Sequence, residues 1–121
     1  ATLMQRSTGK GVRIEVALSA AAAYTGLPRN WGLTKPGAAV GGGHAGYRVY
    51  PCKDGRVAVA ALEPHFAASL CALVGIPVTG MKTLFSPDTH SRIASCLLTQ
   101  SRSDLERLAV AHDIPLHTLL D

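Results

Sequence analysis

Glycines at positions 41, 43 and 46 spell G-x-G-x-x-G, and Glu63 follows the second of them by 20 residues. That is the spacing of a dinucleotide fingerprint. There the glycines let backbone approach a pyrophosphate and a later acid takes a ribose hydroxyl. His44 sits inside the run. An imidazole titrates near neutrality and can act as acid or base, although the plainer reading of a histidine in a glycine-rich loop is a solvated ring. Arg29 and Trp31, with Asn30 between them, offer a cation and an aromatic face to a phosphate or an adenine; the plainer reading is loop packing. Ser7 and Ser19 have no histidine at readable spacing, so a Ser-His-Asp hydrolase finds no support. His65, His90, His112 and His117 are scattered without metal-ligand spacing and read as surface or face-edge residues, so no metal site is expected. Asp54 reads as a turn residue, and Asp113 and Asp121 have no partner that the sequence identifies.

The elements around these residues decide between the readings. A dinucleotide fingerprint needs a strand before its glycines and a helix directly after. Here residues 27–45 form a long loop punctuated by Pro28, Pro36 and glycines, and two strand-like runs follow, 46–52 and 56–62. Asp54-Gly55 between them is a strong hairpin signal. The hairpin is expected to set Val57, Val59 and Ala61 on one face, with Tyr47 and Val49 offered by the opposite strand. No helix N-terminus would meet a pyrophosphate, so the spacing of Glu63 is coincidental. No Gly-Lys-Ser/Thr follows, which excludes a P-loop. The glycines then read as a mobile loop, or as a segment that approaches a ligand or closes over one. Glu63 precedes Pro64 at the start of a helix, where the macrodipole stabilises a carboxylate by about 0.3–1 kcal/mol.

Elsewhere, Ala1–Ser7 reads as a helix end stopped by Gly9 and Gly11. Val12, Ile14 and Val16 alternate as a short strand over 13–17, and Leu18–Gly26 as a buried helix of close-packed alanines. A helix over Pro64–Val74 carries the stripe Phe66, Leu70, Leu73, Val74 and ends at Gly75. Ser86-Pro87-Asp88 opens another, burying Ile93, Ala94, Leu97 and Leu98. Ser103-Asp104-Leu105-Glu106 reads as a capping box for a third, with Leu105, Leu108, Ala109 and His112 on one face. Ile114-Pro115-Leu116 leaves it extended. The fold class is α+β: a small antiparallel sheet built on the hairpin 46–52/56–62, packed with three or four helices. Its organisation is a helix/strand/helix linker over 1–26, the loop 27–45, and a small domain over 46–121.

Bulk properties narrow the partners. The chain has 121 residues, 47% hydrophobic and 17% charged, enough apolar material for one compact core. A net charge of +4 favours acidic partners in general. The basic residues form no run and aromatics are only 5%, which argues against nucleic acid. No apolar run reaches the roughly 20 residues of a membrane span. Cys52, Cys71 and Cys96 form no C-x-x-C pair and are odd in number, so reduced thiols in a cytoplasmic protein are the expectation.

Three segments resemble a known family. "RSTGKGVRIEVAL", Arg6–Leu18, is similar to the R-x-x-T-G-x-G-Q-x-V-D-V-S-L run of family III CoA-transferases. That family includes formyl-CoA and carnitine CoA-transferases and α-methylacyl-CoA racemase. "YRVYPCKDGRVAVAALEPHF" resembles its hairpin and E-P-x-F helix, and "SRSDLERLAVAHDIPLHTLLD" its later T-x-x-E-W helix and the extended segment after it. Order and spacing agree across nearly all of the chain. The resemblance implies interlocked dimers of a Rossmann-like large domain and a small domain. It implies a coenzyme A thioester as substrate of the complete enzyme, and no covalently bound cofactor. Transferases use an aspartate that forms anhydride and thioester intermediates; racemases use a His/Asp pair on the α-proton. Both sets lie upstream of Ala1, so this chain is expected to be a small-domain portion, inert alone. In transferases a glycine run ending in Gln closes over the active site; Gly41, Gly42 and Gly43 match it, with His44 where Gln would stand. In racemases the E-P-x-F glutamate supports the catalytic histidine; Glu63 matches. The two matches point to different branches. The expected partner is a second copy or a large domain, with acyl-CoA as ligand. The alternative is an interaction or dimerisation module without catalysis.

Overall fold

A computed structural model of the chain describes residues 2–11 and 13–119. Ala1, Val12 and Asp121, named in the expectations above, lie outside the described residues. The chain divides into two compact units, Ala1–Trp31 and Gly32–Asp121.

In the first unit, α1 (Thr2–Thr8) ends at Gly9, whose φ of 68° is the left-handed turn that releases a helix. The strand expected over 13–17 does not form: these residues are unpaired, with Ile14 60% and Val16 69% exposed. Alternation describes a strand's two faces but supplies no ladder partner. Helix α2 (Leu18–Thr25) is present as expected, but it buries no residue. Alanines give it helix propensity without an apolar stripe large enough to dock. The loop expected from residue 27 begins instead with a single helical turn, α3 (Leu27–Asn30), started by Pro28 in its first turn.

The second unit carries the core. Strands β1 (Tyr47–Cys52), β2 (Gly55–Ala60) and β3 (Leu116–Leu119) form one antiparallel sheet in the order β1-β2-β3. Cys52 pairs with Gly55, so the two-residue turn is Lys53-Asp54, and Gly55 opens β2 at φ 155°. Tyr50 therefore stands opposite Val57, and Arg48 opposite Val59. The buried face holds Tyr50, Cys52, Val57 and Val59, continuing to Ala61. Tyr47 and Val49, expected beside Val57, point to the other face, opposite Ala60 and Ala58, and are 38% and 49% exposed. The segment after Ile114 is a full strand: β3 pairs Thr118 with Val57 and Leu116 with Val59.

Three helices cover the sheet. On α4 (Pro64–Leu73), Ala67, Leu70 and Cys71 are buried, and Phe66, Leu73 and Val74 pack half-buried against the core. Helix α5 (Pro87–Thr99) lies on β1 and buries Thr89, Ile93 and Leu97; Leu98, expected inside, is 53% exposed. Helix α6 (Arg102–His112) packs on β3 through Leu105. Its capping box starts two residues earlier than expected: the Ser101 hydroxyl accepts from the Asp104 N–H. His112 lies on the exposed side of α6. Asp113 holds a left-handed turn, φ 50° and ψ 53°, that ends this helix. The hairpin tip ties the α5–α6 junction down. Asp54 accepts from the Arg102 N–H at 2.8 Å, and the Lys53 N–H donates to Gln100 O at 2.9 Å.

Candidate functional site

The glycine run is a tightly folded corner. The Ala38 N–H donates to Lys35 O, then Gly41 and Gly43 both donate to Ala38 O, at 2.9, 2.9 and 3.0 Å. A 3₁₀ turn (Ala39–Gly41) results. A Cβ on Gly41 would stand 1.9 Å from Lys35 O, and one on Gly43 2.1 Å from Gly37 O. No side chain fits at either place. Gly42 between them has φ 90°, a conformation L residues rarely adopt. Close backbone approach is therefore one reason for glycine at positions 41 and 43.

The corner hands the chain to β1 through His44 and Ala45. His44 is buried, 8% exposed, and not the solvated ring of the plain reading. Its Nδ1 accepts from the Gly46 N–H at 3.1 Å, which leaves the ring proton on Nε2. Its edge meets the Phe85 ring at a centroid distance of 5.4 Å. The Ala45 N–H donates to Leu84 O at 2.7 Å, and the Tyr50 hydroxyl to Ala45 O at 2.7 Å.

His90 of α5 completes the support. Its Nε2 donates to Gly43 O at 2.9 Å, while its Nδ1 accepts from Arg48 at 3.3 Å. Arg48 in turn lies over the Tyr50 ring, 5.9 Å from its centre. His90, expected on a surface or at a face edge, is half-buried at the edge of α5, and its bond to Gly43 O was not foreseen. Its spacing carried the signal: 90, 93, 94 and 97 make one helical stripe.

A cavity of about 450 Å³ opens under this corner. His44 forms one side, Leu62, Pro64 and Ala67 another, and Val78, Leu84 and Phe85 a third. Glu63 thus stands between two lining residues, at the N-cap of α4. Its side chain makes no capping hydrogen bond. Of the residues singled out in the sequence, His44 lines this cavity, Gly41 and Gly42 line another beside Tyr47 and Val49, and Glu63 lines neither. Arg29 and Trp31 belong to the first unit; Trp31 is 69% exposed, which removes the loop-packing reading for it. Cys52 and Cys71 are buried and Cys96 half-buried, all as free thiols. Among the described residues no three acid, histidine or cysteine side chains gather to hold a metal ion, and no helix is long and apolar enough to cross a membrane.

Burial, and next to it the neighbouring His90, push His44 below its ordinary pKa of 6.5. The folded chain then binds fewer protons at this ring than the unfolded chain. Its contribution to stability is complete above pH 6.5 and is lost as pH falls below that, towards the depressed folded value. Thermal unfolding followed from about pH 8 to about pH 5 is expected to show this loss, and His44→Gln to flatten it. Parallel curves for the two proteins would contradict the assignment.

A family model described as CoA-transferase family III matches residues 1–121, the whole chain. No curated protein matches the chain.

Proposed function

The chain belongs to CoA-transferase family III, and on that premise we propose that it forms the small-domain portion of an acyl-CoA transferase or racemase-like enzyme. The observation that supports this reading is a cavity lined by His44, the last residue of the glycine run, and by Leu62 and Pro64, which flank Glu63. In this reading the corner covers a coenzyme A thioester, and Glu63, with a carboxylate free of capping bonds, orients a catalytic group supplied from outside these 121 residues. The acyl-transfer aspartate or the racemase His/Asp pair comes from that same source. Alone, the chain is then inert. The test is an assay for CoA exchange and for deuterium wash-in at the α-carbon of a 2-methylacyl-CoA. Neither should turn over with the chain alone, and at least one should appear when a large domain of the family is added in trans. Robust turnover by the chain alone would overturn the assignment of roles.

A second reading has its own observation. The outer sheet face exposes Tyr47 and Val49 beside Ala58 and Ala60, with Val40 at its edge. An apolar face of this kind suits an interaction module without catalysis. Light scattering with calorimetry separates the two. A stable oligomer that takes no acyl-CoA favours the module; a chain that binds acyl-CoA favours the enzyme portion.

A further inference from the structure

We infer that the groove between β1 and α5 is a binding site for a compact dianion, the phosphate monoester of a small molecule, held by Arg48, His90 and Ser91. The groove shares no lining residue with the cavity beside His44, so the inference stands apart from the acyl-CoA reading.

Charge selects the ligand. Arg48 forms no ion pair with an acid among the described residues. Its contacts are to neutral groups. Nη1–H donates to His90 Nδ1 at 3.3 Å, and the guanidinium lies 5.9 Å from the centre of the Tyr50 ring. That ring is itself fixed, because its hydroxyl donates to Ala45 O. A guanidinium is thus held in position with most of its N–H donors unspent, in the fork geometry that suits phosphate. Ser91 follows His90 on α5, and its hydroxyl has no partner among the described residues. All three side chains line one groove of about 290 Å³ with Tyr50, Pro51 and Ala94, and no Asp or Glu lines it. The acid two residues before His90, Asp88, is spent on Arg92, 4.0 Å away.

His90 supplies the second charge. In the empty groove its Nδ1 accepts from Arg48 and its Nε2–H donates to Gly43 O. An anion that engages Arg48 frees Nδ1 to take a proton and donate to the same anion, while Nε2–H keeps Gly43 O. Two cations and a hydroxyl then face a group with three oxygens and nearly two negative charges. A carboxylate, with one charge and two oxygens, meets less of this demand. The titratable and charged groups that face His90 are Arg48 and Tyr50 from β1 and His44 from the corner. Lys82, on the 3₁₀ turn Met81–Phe85 packed against α5, is exposed and lines no part of the groove. Pro51 and Ala94 give the carbon side of an ester an apolar flank.

The experiment is a titration of the isotope-labelled 121-residue chain at constant ionic strength, followed by amide, guanidinium and imidazole resonances. The probes are phenyl phosphate, inorganic phosphate, sodium sulfate and sodium acetate. Phenyl phosphate is expected to saturate shifts at Arg48, His90 and Ser91 and to bind at least as tightly as inorganic phosphate. Acetate should bind at least about ten-fold more weakly. Arg48→Gln, at an exposed position, should weaken phenyl phosphate at least about ten-fold while the spectrum stays dispersed, and Ser91→Ala about three-fold. Arg92→Gln, outside the groove, should leave it unchanged. Sulfate keeps its charge throughout, so tighter sulfate binding from about pH 8 to about pH 5.5 reports the proton gained by His90. Equal affinity for acetate and phosphate, or an equal loss in Arg92→Gln and Arg48→Gln, would overturn the site, since either marks general charge attraction. Sulfate binding that ignores pH would remove His90 from it, and inorganic phosphate bound more tightly than phenyl phosphate would overturn the monoester.

Discussion

Replacing Gly43 with alanine is expected to destabilise the second unit by about 3 kcal/mol. The added Cβ would meet Gly37 O at 2.1 Å and Gly37 C at 2.5 Å. Both are backbone atoms, so no rotamer change relieves the clash. The 37–38 segment must move, and it cannot move freely, because the Ala38 carbonyl accepts from Gly41 and Gly43 together. Moving it also withdraws Gly43 O from His90, which leaves a half-buried imidazole without its acceptor. Gly42→Ala is the control: a Cβ there meets nothing within 4 Å, but its φ of 90° costs a side chain about 1–2 kcal/mol. Urea unfolding of both variants tests the order. If Gly43→Ala lies within about 0.5 kcal/mol of the parent, the corner is not the rigid element described and the close approach is absent in solution.

That prediction explains why the corner was only half legible in the sequence. Glycines in a row say that side chains are unwelcome, but not whether the reason is motion or crowding. The atoms that crowd Gly41 and Gly43 come from Lys35 and Gly37, inside a segment with no periodicity to place it. The dinucleotide reading could be dismissed from order alone, since a hairpin rather than a helix follows, and the structure keeps that hairpin. The helices of the second unit were legible because Pro64 and Pro87 start two of them, a Ser-Asp pattern marked the third within two residues of its N-cap Ser101, and Gly75 or a following break ends them.

Facing was harder to read. Both faces of the hairpin carry apolar residues, so alternation could not choose between Tyr47 with Val49 and Tyr50 with Cys52. Turn arithmetic could have chosen. A two-residue turn sets even-numbered positions of β1 against odd-numbered positions of β2, and residues directly opposite share a face. Val57 and Val59 inside then require Tyr50 and Cys52 inside. The failed strand at 13–17 has the complementary cause: its pattern was sound, but pairing is a property of two segments. His44 was misjudged because burial of a loop residue depends on Phe85 and Leu84, some 40 positions away.

The facing of α5 is where the second large effect lies. Ile93→Ala is expected to cost about 3 kcal/mol, Ile93→Val about 1, and Leu98→Ala less than about 0.5. Sequence periodicity placed Ile93 and Leu98 in one buried group, yet Ile93 is 0% exposed and Leu98 53%. Ile93 sits four residues from both Thr89 and Leu97 on the face that meets β1, so truncating it opens a void where the helix and sheet join. The same helix carries His90, one turn before Ile93, and His90 is what holds Gly43 O. A loosened α5 should therefore reach the glycine corner. Amide exchange at Gly41 and Gly43, read under conditions where the whole unit stays folded, should quicken in Ile93→Ala. It should not quicken equally in Leu105→Ala, a truncation of similar cost on α6, which packs on β3 instead. Equal acceleration in both would mean that exchange at the corner reports global unfolding, and that α5 does not position the site. Selective acceleration would make the helix-to-loop bond from His90 the element that sets the corner over the cavity.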